Sequence, residues 1–168
     1  MKQTIIFYII LFGVFILPPY YAKEASPLVF LGEADLTLYF FDIYHAKLYG
    51  ETKQATLEQH LELELTYRRN FDGRDIANQS AKELYATGEP QANIERWLPM
   101  MEAIFPSIQK GDKIRAIYHP NRGIRFLFNG QKDLGEVKDP QFAKSFMGIW
   151  LSPKTTQPEM RLKLFGLK

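Results

Sequence analysis

The sequence predicts an α+β domain in which an antiparallel sheet carries helices on one face. The clearest observation is Gln59–Tyr67, where leucines at every second position face one way and Glu62 and Glu64 face the other. This alternation indicates a strand with one buried and one solvated face, typical of an antiparallel sheet. A second observation is that strand-like and helix-like segments come in separate runs, which favours an α+β arrangement.

Six segments are predicted to be strands because apolar and polar residues alternate along them. In the second half of the chain, Asn129-Gly130 predicts a hairpin, because both residues accept the positive φ of a type I′ turn. The predicted strands are, in chain order, Leu36–Phe41, Ile43–Tyr49, Gln59–Tyr67, Ile114–Tyr118, Ile124–Phe128 and Gln131–Val137.

Four helices are predicted from apolar residues at helical spacing between start and stop signals. Pro99 should kink or split the second of them, and the last begins with an apparent capping box. The start and stop signals are, in chain order, Asp72 and Gly88, Pro90 and Pro106, Asp139 with Pro140, and Thr156-Gln157-Pro158-Glu159 with Gly166.

The N-terminal segment has the pattern of a secretory signal peptide. Ile5–Leu17 is an apolar run that follows a basic residue, and Pro18-Pro19 breaks it before a small residue suited to cleavage. We therefore expect Met1–Ala22 to be removed on export, leaving one domain at 23–168 in the periplasm or outside the cell. The alternative is an uncleaved anchor, although the run is shorter than the roughly 18 residues that a span needs.

Composition and motif content exclude several classes of site. The chain has no cysteine, 21 basic and 19 acidic residues, and no long basic stretch, so disulfides, thiolate metal sites and nucleic-acid binding are not expected. The three histidines, His45, His60 and His119, lack metal-binding spacing. Neither a serine-hydrolase elbow nor a nucleotide-binding glycine motif occurs. We predict no catalytic residue, metal ligand or cofactor.

Aromatic and basic residues are interleaved in a way that suggests a site for a small amphipathic ligand. Tyr44, Tyr67, Arg69 and Arg125 are the candidate binding residues, since apolar walls with a few polar anchors hold such ligands. The alternative is that the tyrosines belong to the core and the arginines extend to water. The pair Glu62 and Glu64 could in principle do acid–base work, but a solvated outer face is the favoured interpretation.

Several segments resemble the bacterial chalcone isomerase-like family, and in the same order along the chain. The segments are Gly32–Ala34 with Phe41–Tyr49, Tyr67–Gly73, Gly111–Ile114, and Phe146–Pro153 with its Ile-Trp-Leu-Ser-Pro stretch. The resemblance implies an open-faced β-sandwich with a ligand cleft between a large sheet and its helices. Plant enzymes of this fold cyclise chalcones, their fatty-acid-binding relatives hold a carboxylate with an arginine and a tyrosine, and bacterial members are commonly exported.

The resemblance carries over only in part at the level of single residues. The strand that bears the catalytic arginine of the plant enzymes corresponds to Gly32–Asp35, which has no arginine. Tyr44 matches the tyrosine of the fatty-acid-binding relatives, whereas Asp72 and Gln79 stand near the plant catalytic tyrosine and asparagine. The family pattern therefore favours a non-catalytic protein that binds a small amphipathic ligand such as a fatty acid.

Two alternatives stay open at this point. The first is an isomerase or lyase acting on a chalcone-like or other enone substrate, with Arg69 in place of the missing arginine. The second is a structural or interaction protein whose core is filled. The sequence leaves the oligomeric state open.

Overall fold

The computed structural model describes residues 27–54 and 56–167, which form one antiparallel sheet and four helices. The sheet is a meander, because each strand pairs with the next one along the chain. Its strands are β1 Val29–Leu38, β2 Phe41–Gly50, β3 Leu61–Tyr67, β4 Lys113–His119, β5 Gly123–Phe128 and β6 Lys132–Val137.

The helices follow β3 and β6 and pack on one face of the sheet, as the sequence predicts. Asp72 caps the first helix by accepting a hydrogen bond from the Arg74 amide, and Asp139 caps the third by accepting from the amides of Gln141 and Phe142. The helices are α1 Gly73–Ala86, α2 Gln91–Ile104, α3 Pro140–Leu151 and α4 Pro158–Leu164.

The core lies between the helices and the inner face of the sheet. Leu61, Leu63 and Leu65 of β3 are buried there, which confirms the face predicted from their alternation. Trp97 of α2 and Phe142 of α3 are among the fully buried side chains that cover this face. The antiparallel pairing and the one-sided helices confirm the α+β class.

The prediction of a single strand over Leu36–Phe41 is wrong. The chain reverses at Tyr39-Phe40, so that Leu38 pairs with Phe41 across a two-residue turn. Tyr39 adopts a φ of 58°, a conformation that glycine or asparagine usually supplies. A search of the sequence for turn-forming residues therefore does not find this turn.

Two predictions about the helices also need correction. α2 runs unbroken through Pro99, and the burial of Trp97 and Met101 on either side explains why packing outweighs the lost backbone hydrogen bond. Thr156 is not the N-cap of α4, as the predicted capping box requires. It donates to the Glu83 carboxylate of α1 at 2.7 Å, and the N-cap is Gln157, whose side chain makes no capping hydrogen bond.

The expectations about the N-terminus fall outside this description. The predicted signal Met1–Ala22 and the domain boundary at 23 both precede the first described residue. Within the described ranges, each helix is too short or too polar to cross a bilayer.

Candidate functional site

A cavity of about 370 Å³ lies between the inner face of the sheet and the helices. Its volume falls within the roughly 300–1,000 Å³ of small-molecule sites. Most of its wall is apolar, and the inner wall is formed by buried side chains of the sheet and α3. These are Leu63, Leu65, Ile114, Ala116, Phe126 and Phe146. The core is therefore not filled, which contradicts the interpretation of the chain as a protein with a solid core.

The mouth of the cavity is rimmed by polar side chains of α1. Asp75, Gln79 and Glu83 follow one another at intervals of four residues, so they share one face of the helix. Gln79 Nε2 donates to Glu83 Oε1 at 2.9 Å, and Thr156 Oγ1 donates to Glu83 Oε2 at 2.7 Å. On the opposite side the exposed Leu38, at the end of β1, completes the rim.

Two tyrosines, Tyr44 and Tyr67, line the mainly apolar wall. Trp150 Nε1 donates to the Tyr44 hydroxyl at 2.8 Å, which leaves the Tyr44 proton available to an acceptor. The Tyr67 ring packs edge-on against the Tyr44 ring, with centroids 5.9 Å apart. Burial raises the pKa of both hydroxyls, so both tyrosines are neutral hydrogen-bond donors at physiological pH.

The electrostatic character of the cavity is unusual for a site that would hold an anion. Among the described residues, neither an arginine nor a lysine lines it, whereas the carboxylates of Asp75 and Glu83 stand at its mouth. A ligand anion would therefore face two negative charges without a compensating cation. The site suits a neutral polar group attached to an apolar body.

The four predicted binding residues separate into two groups. Tyr44 and Tyr67 line the cavity, and their role in binding stays a prediction. Arg69 lies outside it, with its guanidinium carbon 4.3 Å from the centroid of the Phe41 ring. Arg125 is on the helix-free face of the sheet and pairs with Asp133 at 2.7 Å. The strand alternation that points Ile124 and Phe126 inward necessarily points Arg125 outward.

Asp72 and Gln79, which the resemblance sets near the plant catalytic tyrosine and asparagine, make other contacts in this structure. Asp72 is the N-cap of α1, and Gln79 belongs to the rim. With Arg69 outside the cavity, none of the described residues that line it supplies a cation beside the tyrosines for an oxyanion that would form there. The predicted substitution of Arg69 for the missing catalytic arginine has no geometric support.

Two histidines that the sequence analysis treats as separate lie together. His60 and His119 stack with ring centroids 4.1 Å apart, because the start of β3 and the end of β4 lie side by side in this antiparallel pair. Burial lowers the pKa of both rings, and each then favours the neutral form. No cluster of three potential metal ligands occurs within residues 27–54 and 56–167.

Sequence reasoning missed the rim and the role of Trp150. The spacing of Asp75, Gln79 and Glu83 along a predicted helix was an available signal, since three polar residues at intervals of four form a polar stripe. Trp150 lies on the buried face of α3. Its hydrogen bond to Tyr44 joins residues far apart in the sequence, and no local pattern indicates it.

The comparisons with known proteins agree with this architecture. The family model described as chalcone isomerase-like matches residues 15–166. The chain belongs to the chalcone isomerase-like family. An uncharacterised protein of Haemophilus influenzae is 30% identical over 137 residues, which are 81% of this chain and 67% of that protein. This confirms the predicted family.

A solved structure of the same fold is a fatty-acid binding protein of Arabidopsis thaliana. It superposes with a TM-score of 0.61 at 11% sequence identity, over 83% of this chalcone isomerase-like chain and 87% of the plant chain. The likeness confirms the predicted fold, a large open sheet with helices on one face. At this identity it establishes the fold and not the ligand.

Proposed function

We propose that this chalcone isomerase-like protein is a non-catalytic binding protein for a small amphipathic molecule of the fatty-acid type. The observation that carries the proposal is the mainly apolar cavity of about 370 Å³, which two neutral tyrosines help to line. An acyl chain would lie against the leucine and phenylalanine side chains. The polar head would meet the tyrosines or the rim at the mouth.

The fold similarity to a plant fatty-acid binding protein supports the proposal without identifying the ligand. The charges around the cavity favour a head group that is neutral, such as a protonated carboxylic acid or a hydroxyl. Desolvation in the cavity would cost a carboxylate free energy that the tyrosines offset only in part, because none of the described lining residues is a cation.

A fluorescence-displacement titration tests the proposal with a series of fatty acids and fatty alcohols of equal chain length. We expect both classes to bind, and the alcohol to bind at least as tightly as the ionised acid. Ala116→Phe should reduce affinity about tenfold or more, because the larger ring occupies space that the acyl chain needs. Ala103→Phe, the same change at an exposed position of α2, is the matched control.

Absence of binding across the series would overturn the proposal. An Ala116→Phe protein that is folded and binds as tightly as the wild type would place the ligand elsewhere. If Ala116→Phe does not fold, Ile114→Phe makes a smaller change in the same wall. A strong preference for the ionised acid over the alcohol would contradict the head-group argument.

We further propose that the protein is exported to the periplasm or secreted. The support is the signal-like pattern of Met1–Ala22. Cell fractionation, with the mass of the recovered protein, would locate the chain and its N-terminus.

A further inference from the structure

The most exposed apolar surface of the described chain is the turn between β1 and β2. Seven large hydrophobic side chains are exposed within the described residues, and four of them are consecutive, Leu38–Phe41. Tyr39 is 94% exposed and Phe40 is 96% exposed. We call Leu38–Phe41 the hairpin tip. Exposed apolar residues that cluster in this way mark an interaction surface, whereas single ones do not.

The backbone of the hairpin tip indicates that its aromatic residues are not there to make the turn. Tyr39 sits at a φ of 58°, which costs a bulky residue conformational energy. The turn between β5 and β6 shows the favourable solution, with Asn129 and Gly130 at the positive φ positions. The hairpin tip therefore keeps aromatic side chains at a backbone cost, which points to a role for the side chains themselves.

Basic side chains surround the hairpin tip. Arg68, Arg69 and Lys110 line a shallow recess together with Phe40 and Phe41. Arg69 stacks over the Phe41 ring, and Arg68 forms an ion pair with Asp35 at 3.7 Å.

The charge around the tip is not fully compensated by its acidic neighbours. Asp42 lines the same recess and accepts a hydrogen bond from Thr37. Among the described residues, neither Arg69 nor Lys110 has a carboxylate within ion-pair distance. Aromatic rings suit the boundary between the head groups and acyl chains of a membrane. Uncompensated cations beside them suit the phosphate groups of anionic lipids.

The hairpin tip is continuous with the mouth of the cavity. Leu36, Leu38 and Ile43, from the two strands that the tip joins, all line the cavity. Leu38 belongs both to the rim and to the tip. A molecule that passes through the mouth on this side therefore leaves or enters beside Tyr39 and Phe40.

We propose that the hairpin tip and its basic neighbours Arg68, Arg69 and Lys110 dock on the surface of an anionic lipid bilayer. Tyr39 and Phe40 enter the boundary between head groups and acyl chains, while the cations contact lipid phosphates. Docking places the cavity mouth against the membrane, so that an amphipathic ligand transfers without crossing bulk water. The inference rests on the proposed lipid-binding function.

Co-sedimentation with vesicles tests the docking surface, using the protein recovered from cells that express the full chain. We expect binding to vesicles of phosphatidylethanolamine and phosphatidylglycerol, weaker binding to phosphatidylcholine vesicles, and a loss of binding as salt increases. Tyr39→Ser with Phe40→Ser should reduce binding about tenfold or more through lost apolar contact. Arg69→Gln with Lys110→Gln should reduce it about tenfold, and only on anionic vesicles.

Control variants remove an aromatic ring or two positive charges elsewhere on the surface. Tyr85→Ser removes a 65% exposed ring of α1, and Lys82→Gln with Lys132→Gln removes two exposed charges. Both control proteins should bind vesicles as the wild type does. The tip variants should keep wild-type affinity for a fatty alcohol in solution, because the substituted side chains do not line the cavity.

Three results would overturn the docking proposal. The first is a wild-type protein that does not sediment with anionic vesicles, which leaves the binding function intact if fatty alcohol still binds. The second is that both tip variants bind vesicles as the wild type does. This result is expected if an apolar N-terminal segment, and not the tip, binds the membrane. The third is a dimer in analytical ultracentrifugation that the Tyr39/Phe40 variant abolishes, which would assign the tip to a second copy of the chain. Vesicle binding through the tip without ligand binding would instead overturn the proposed function alone.

Discussion

Glu64 shows how a single residue on the helix-free face departs from its sequence prediction. It faces away from the leucines, as predicted, but is only 7% exposed. Arg115, its cross-strand partner, donates to its carboxylate at 2.6 Å, and Lys113 donates at 3.0 Å. The alternation of β3 predicts which way Glu64 points, but not that two basic residues from β4 cover it.

Replacing Glu64 tests the strength of these contacts. Burial acts to raise the pKa of its carboxyl, but hydrogen bonds from Arg115 and Lys113 outweigh burial and hold it below the ordinary 4.5. Glu64→Gln should lower the free energy of unfolding by about 1–3 kcal/mol at neutral pH, measured by urea denaturation. A carboxyl with a lowered folded-state pKa stabilises the protein above the unfolded-state value and loses this effect as pH falls through the folded-state value.

The difference between wild type and Glu64→Gln should therefore shrink in acid. Glu58→Gln is the control, because Glu58 pairs with Lys144 at an exposed position and should change stability by less than about 1 kcal/mol. A Glu64→Gln protein as stable as the wild type, or a difference that is constant with pH, would contradict the account.

At the scale of elements, replacing two different glycines by alanine should change stability in opposite directions. A Cβ at Gly32 of β1 would lie 2.1 Å from the Lys163 carbonyl oxygen, where α4 crosses the strand. A Cβ at Gly148 of α3 would meet only the Ser152 Cβ, at 3.6 Å. One glycine permits a close backbone approach, and the other leaves a helix position with room for a methyl group.

Gly32→Ala should lower the free energy of unfolding by about 2–4 kcal/mol, because α4 must move away from β1. Gly148→Ala should raise it by up to about 1 kcal/mol through helix propensity. Urea denaturation followed by circular dichroism measures both. Equal effects of the two substitutions would show that α4 does not pack on β1 as described.

The elements that sequence reasoning could predict are those with local signals. The alternation of β3, the Asn129-Gly130 turn and the Asp139 cap all depend on residues that are neighbours in the sequence. The turn at Tyr39-Phe40 could not be predicted, because its residues do not favour the conformation they adopt. The Thr156 contact with Glu83 could not be predicted either, since it forms only when α1 and the start of α4 are brought together.

At the scale of the whole molecule, the fold could be predicted from the sequence, whereas the residues that line the cavity could be predicted only in part. The order of strands and helices and the family resemblance together indicated the open sheet with helices on one face. Of the four predicted binding residues, Tyr44 and Tyr67 line the cavity, whereas Arg69 and Arg125 lie outside it. Whether helices cover a sheet closely or leave a cavity depends on distances between layers, and a sequence pattern does not contain these distances.

The central claim is that the cavity between sheet and helices holds an acyl chain. A crystal structure of the protein with a fatty acid brominated at its terminal carbon tests the claim most directly, because anomalous scattering locates the bromine. The account predicts a bromine peak at the inner wall formed by Ala116, Phe126 and Phe146. A peak found only on the surface, or a cavity without a ligand in crystals grown at saturating fatty acid, would contradict it.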